Sequence, residues 1–140
     1  MSRTEVTLIC DGSLDANDRN YESQKGTLIG GYAGGISIDT ADGDEYFDFY
    51  TSSVASLPTP SLVELRALEH GVFRLKRIVD EKELQIDKLT IYTDSLDAVR
   101  NYNALNADPE AKGVYLKNPV LRLISRIKEI GVGAVSYTHL

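Results

Sequence analysis

Leu8-Ile9-Cys10-Asp11-Gly12-Ser13 is an apolar run that ends on an acid, a glycine and a small hydroxyl. Upstream of it, Val6, Leu8 and Cys10 alternate onto one face of a strand covering residues 5 to 10, and Ile9 on the other face predicts burial on both sides. The strand is expected to stop at Asp11-Gly12-Ser13, and the polar stretch from Leu14 to Gly26 reads as a loop. The same ending recurs downstream, where Leu89-Thr90-Ile91-Tyr92-Thr93 reads as a buried strand followed at once by Asp94-Ser95. If the two strands are parallel neighbours, Asp11 and Asp94 emerge side by side at their C-terminal ends, where open α/β sheets place ligands.

Between them the pattern changes twice. Ile29 to Ile38 and Glu45 to Val54 read as two further strands joined by Ala41-Asp42-Gly43-Asp44, so the first three strands form an antiparallel meander. Gly30, Gly31, Gly34 and Gly35 predict a bulge or a close backbone approach in the second. After Pro58-Thr59-Pro60, the residues Leu62, Leu65, Leu68, Val72, Leu75 and Val79 fall at helical spacing, giving a long helix over 61–80. A short helix is expected through Tyr102, a third opened by Asn118-Pro119 as cap and first turn, and a last strand over 131–137. Helical crossovers make the later strands parallel to the first, so the fold class is α/β: a five-stranded mixed sheet with helices packed on it.

The chain has 140 residues at 15.4 kDa, enough for one domain and too few for two independent cores. No apolar run approaches the roughly 20 residues of a membrane span, and the N-terminus lacks a signal-peptide layout, so a soluble, cytoplasmic protein is expected. Cys10 is the single cysteine, which excludes an internal disulfide and a thiolate cage and leaves oxygen ligands for any metal. Net charge is -7 over residues 1–61 and +1 over 62–140, which excludes a basic coat over the whole surface.

Glu64 sits in what reads as the first turn of the long helix, close enough to the sheet edge to join Asp11 and Asp94. Three carboxylates a few ångströms apart repel unless a cation sits among them, and hard oxygen ligands select magnesium or manganese. Each residue also has an ordinary explanation. Aspartate after a strand is a common turn residue, and Ser61-x-x-Glu64 fits a capping box. The ordered set is rarer than any one of its members.

In that order and spacing the sequence resembles the ribonuclease H family. The resemblance is carried by Leu8-Ile9-Cys10-Asp11-Gly12-Ser13, Val63-Glu64-Leu65-Arg66-Ala67-Leu68 and Ile91-Tyr92-Thr93-Asp94-Ser95, and extends over nearly the whole chain. It implies a metal-dependent endonuclease that hydrolyses the RNA strand of an RNA/DNA hybrid with two Mg2+ or Mn2+ ions. Asp11 would bridge the ions, with Glu64 and Asp94 as further ligands; one ion activates water and the other stabilises the leaving oxygen. Substrate contacts are expected from Gly12, Ser13 and Ser95. Ser61 or Thr59 stands in for the asparagine that the family carries before its helix glutamate, donating to a 2'-hydroxyl. Lys112 and Lys117, with Arg122, Arg126 and Lys128, are placed to grip phosphates, although a solvated helix face explains them equally. Gly-Asn-Pro-Gly, typical of the family after the first aspartate, is replaced by the acidic stretch from Leu14 to Gln24.

Two other functions compete: a domain of this fold that binds nucleic acid or a protein without turnover, and a nuclease directed at DNA. His70, six residues after Glu64, is expected to point away from the site as a surface histidine. Val135-Ser136-Tyr137-Thr138-His139-Leu140 resembles one frame of a transposon mosaic end used in preparing sequencing libraries, so native sequence from environmental DNA is expected to end near Ala134. On that account His139 is discounted, and the family's C-terminal helix and fourth carboxylate are missing. An apolar patch of the sheet is then left open, favouring a homodimer through that face or an edge strand.

Overall fold

Alternation in the strands and a three-to-four-residue period in the helices put one apolar surface on each element, and these surfaces meet in one core. The computed structural model describes residues 4–14, 29–55, 60–114 and 116–139. Its elements run β1 (Glu5–Leu14), β2 (Ile29–Asp39), β3 (Glu45–Ala55), α1 (Pro60–Lys82), β4 (Lys88–Thr93), α2 (Leu96–Ala107), α3 (Lys117–Ile130) and β5 (Ala134–His139). They form a five-stranded sheet in the order β3-β2-β1-β4-β5. β1, β2 and β3 are antiparallel neighbours, while β4 lies parallel to β1 and β5 parallel to β4, as a mixed α/β sheet requires.

Val6, Leu8, Cys10, Ile36, Ile38, Leu89 and Ile91 bury one face of the sheet under Val63, Leu68, Leu75, Leu105 and Leu123 of the helices. Each large aliphatic side chain so buried contributes about 1.5–3 kcal/mol. Among the described residues no element covers the other face. Ile9 is 47% exposed there, which corrects the expectation of burial on both sides: α1 and α2 pack on the face that carries Leu8 and Ile91, with α3 packed against those two helices.

Other boundaries shift for local reasons. β1 does not stop at Asp11 but continues to Leu14, because β2 is long enough to pair with it from Glu5↔Asp39 to Leu14↔Gly30. Leu14 therefore belongs to the strand, and the remaining loop expectation, residues 15–26, lies outside the described residues. The glycines of β2 make no bulge, since the register on both sides is unbroken. They allow a close approach instead: the Tyr50 ring lies where a Cβ on Gly34 would be. α3 opens one residue before Asn118, at Lys117, after Leu116 turns the chain in the left-handed region (φ 58°), so Asn118 is inside the helix and not its cap. No helix among the described residues is long and apolar enough to cross a membrane.

Candidate metal centre

Parallel pairing of β1 with β4 ends at Ile9↔Tyr92. Two residues further on, Asp11 continues along β1 against Ala33 of β2, while Asp94 stands just past the end of β4. Both are exposed, and the third carboxylate, Glu64, is delivered from below by α1 and is only 3% exposed. Carboxylate oxygens from Asp11, Glu64 and Asp94 all lie within 4.8 Å of one another.

Glu64 is held by two hydrogen bonds. The Gly12 backbone N–H donates to Oε1 at 2.8 Å and the Thr93 hydroxyl donates to Oε2 at 2.8 Å. Helix α1 begins at Pro60, so Glu64 lies beyond the first turn, and its carboxylate spans to two strands. This corrects both the first-turn placement and the capping-box reading. Burial pushes the Glu64 carboxyl up to about 7, against the lowering effect of the Thr93 and Gly12 hydrogen bonds and with the charges of Asp94 and Asp11. Cys10, buried beneath, has its thiol pushed up by desolvation and then by the charge of Glu64. It fills core.

The remaining candidates separate. Gly12 takes part through its N–H, in a slot where a Cβ would stand 2.7 Å from Val63 Cγ1 and 3.3 Å from Tyr32 Cβ. Ser95 caps α2, its hydroxyl accepting from the Ala98 N–H, while its own N–H donates to Thr93 Oγ1 at 3.2 Å. Ser13 lies in β1 opposite Gly31, not at a strand end. Ser61 is the half-buried second residue of α1, and Thr59 lies outside the described residues. Lys112 is exposed on the segment between α2 and α3, and Lys117 is half-buried at the start of α3. Arg122 is paired with Glu69 at 2.8 Å.

Thr93 was not singled out from the sequence, although a hydroxyl at the end of an apolar strand, fully buried here, was the available signal. His70 is half-buried, which corrects the expectation of a surface histidine. Its Nδ1 meets the Tyr32 hydroxyl at 2.8 Å, its ring lies 4.6 Å from that of Tyr50, and burial lowers its pKa. His139, at the end of β5, places Nε2 2.9 Å from the Asp94 carbonyl oxygen.

The three donors are all hard oxygen, from β1, from α1 and from the residue just past β4, and two are exposed, which suits a small divalent cation that keeps waters. No family model and no curated protein matches the sequence. Solved structures do match. The N-terminal ribonuclease H domain of a Mycobacterium tuberculosis protein, solved as a fusion with maltose-binding protein, has a TM-score of 0.58 at 16% identity, covering 98% of this chain and 82% of that one. Ribonuclease H1 of the halophilic archaeon Halobacterium salinarum gives 0.54 at 17%, covering 97% and 85%. The ribonuclease H domain of prototype foamy virus gives 0.55 at 14%, covering 100% and 81%. The strand order, the placement of the helices and these matches show that the chain has the fold of the ribonuclease H family.

Proposed function

We propose that this protein is a metal-dependent endonuclease that hydrolyses the RNA strand of RNA/DNA hybrids, with Mg2+ or Mn2+ as its ions. The observation that carries the reading is the meeting of Asp11, Glu64 and Asp94 within 4.8 Å. Ions held there would supply an activated water and neutralise charge on the scissile phosphate. The chain's own part is positional. Asp11 and Asp94 present oxygens to solvent from adjoining strands, while the Gly12 N–H and the Thr93 hydroxyl fix the plane of the Glu64 carboxylate from behind. Because both holding groups are part of the sheet, Glu64 is set without rearrangement when substrate arrives. Similarity to ribonuclease H domains supports the choice of hybrid as substrate; Gly12, Ser13, Thr59, Ser61 and Ser95, with Lys112 and Lys117, are the proposed contacts to it.

A second reading, a binding domain without turnover, draws on Glu64 itself. Both its oxygens already accept hydrogen bonds from the protein, and its carboxyl is pushed up to about 7, so a proton competes for it near neutral pH. Labelled RNA/DNA hybrid, duplex RNA and duplex DNA, incubated side by side with magnesium, manganese or a chelator, separate the two. Cleavage of the hybrid alone, dependent on the cation, is the expected result. Cleavage of duplex DNA alone would redirect the assignment, and binding of hybrid without cleavage in either cation would establish the second reading.

A further inference from the structure

We propose that β3 is a self-association edge: a second copy of this chain lays its own β3 antiparallel against it, joining two five-stranded sheets into one. β3 is the outermost strand, so one side of its backbone has no strand partner among the described residues. It is eleven residues long, a span of about 37 Å; along it the Ser53 carbonyl accepts from the Ser52 hydroxyl and the Phe49 N–H donates to the Asp48 carboxylate, local bonds within the strand itself. Edge strands are ordinarily guarded by charged side chains, lysine above all, by proline, a bulge or a covering element; the charges of β3, Glu45 and Asp48, stand only in its first half. β3 reads Glu-Tyr-Phe-Asp-Phe-Tyr-Thr-Ser-Ser-Val-Ala, with neither lysine nor proline, and its register with β2 runs unbroken from Ile29↔Ala55 to Asp39↔Glu45, so it has no bulge.

The helix layer also stops short of it. α1 packs over β1 and β2 and reaches β3 through long side chains: the Tyr50 hydroxyl donates to the Ala67 carbonyl, Arg74 pairs with Asp48, and Lys82 lies over the Tyr46 ring. Between α1 and β3 a groove of about 480 Å³ stays open, floored by Ile36, Ile38 and Ile78.

Charge selects the occupant. The groove rim carries Arg74, Arg77 and Lys82 against Glu45, Asp48 and Glu81, a balance that offers no net attraction to a nucleic acid or to a charged peptide. The strand itself is asymmetric, with Glu45 and Asp48 in its first half and no charge from Phe49 onward. Antiparallel pairing of two copies in full overlap sets each acidic half against a neutral one: Glu45 faces residue 55, Asp48 faces Ser52, and Tyr50 faces its own counterpart. Phe47 and Phe49, 64% and 74% exposed, come opposite Ser53 and Thr51. Parallel pairing in register would instead oppose like charges, which destabilises a ladder. The acidic cluster sits on β1, on α1 and just past the end of β4, away from this edge, so pairing leaves it accessible and the inference does not depend on nuclease activity.

Sedimentation equilibrium of the full chain over a wide concentration range, with amide hydrogen exchange at both ends of that range, tests it. The expected result is a dimer, with β3 amides exchanging more slowly as concentration rises and β5 amides unchanged. Phe47→Lys/Phe49→Lys, at exposed positions on the edge, should weaken the dimer about tenfold or more, whereas Ile9→Lys, on the middle strand of the open face, should leave it intact. A monomer at every concentration overturns the proposal, as does a dimer without added β3 protection or one that Ile9→Lys dissolves and the double variant does not.

Discussion

Glu64 combines two demands that conflict at neutral pH: it must be charged to hold a cation, and it is buried. Its carboxyl is raised from 4.5 to about 7, so the native state binds the proton more tightly than the unfolded chain does. The stability this provides is fully present below about pH 4.5 and is lost as pH rises through about 7, an effect of up to roughly 3 kcal/mol. Metal-free protein should therefore show a melting temperature that falls between pH 5 and 8 for this reason, and Glu64→Gln should flatten that slope when melts are recorded in chelator. The amide keeps an acceptor for the Gly12 N–H, so the variant should fold normally while losing cation binding and cleavage; full activity would remove Glu64 from the site. Asp11→Asn should likewise abolish cleavage with stability kept or raised, because an exposed like charge beside Glu64 and Asp94 is relieved. Unfolding together with retained activity per folded molecule would mark Asp11 as structural only.

At the scale of elements, α1 is seated by glycines. A Cβ on Gly71 would meet Tyr50 Oη at 2.5 Å and Leu8 Cδ1 at 2.7 Å. Helix propensity alone favours alanine over glycine by about 1 kcal/mol, yet overpacking costs about 1–3 kcal/mol and falls on the β1, β3 and α1 contact together. Gly71→Ala should therefore destabilise, as read from urea unfolding midpoints; a stabilised variant would mean that α1 can shift outward freely. Gly12→Ala tests the neighbouring joint. Its Cβ would press on Val63 Cγ1, pushing the Gly12 N–H away from Glu64, so manganese affinity measured by calorimetry should fall even where the fold survives.

At the scale of the whole molecule, the helices cover one face of the sheet, and among the described residues no element packs on the other. Ile9, Phe47 and Phe49 stand on the open side with the hydroxyls of Thr7 and Thr90 nearby in the register. Exposed apolar patches mark interaction surfaces, and this one should bind a hydrophobic dye in the native state. Ile9→Thr/Phe49→Thr should reduce that fluorescence while changing stability by only about 0.5 kcal/mol, since these side chains already face water. Unchanged dye binding would place the reporter elsewhere. Manganese that binds only the folded state should also raise the melting temperature, in a concentration-dependent way that Asp11→Asn removes.

The sequence by itself determined the strands and helices, their order, and the carboxylates at 11, 64 and 94, because alternation, helical period and strand-terminal acids are local patterns that each segment carries alone. It could not say where β1 ends, since residues 11 to 14 remain strand only because β2 is long enough to pair with them. It could not assign Glu64 between cap and cluster: Ser61 and Glu64 fit both, and the choice came from a Gly12 N–H and a Thr93 hydroxyl on two separate strands. Ile9 shows the same division. Its apolar side chain reads as buried, and only the packing of the helix layer on the other face left it exposed.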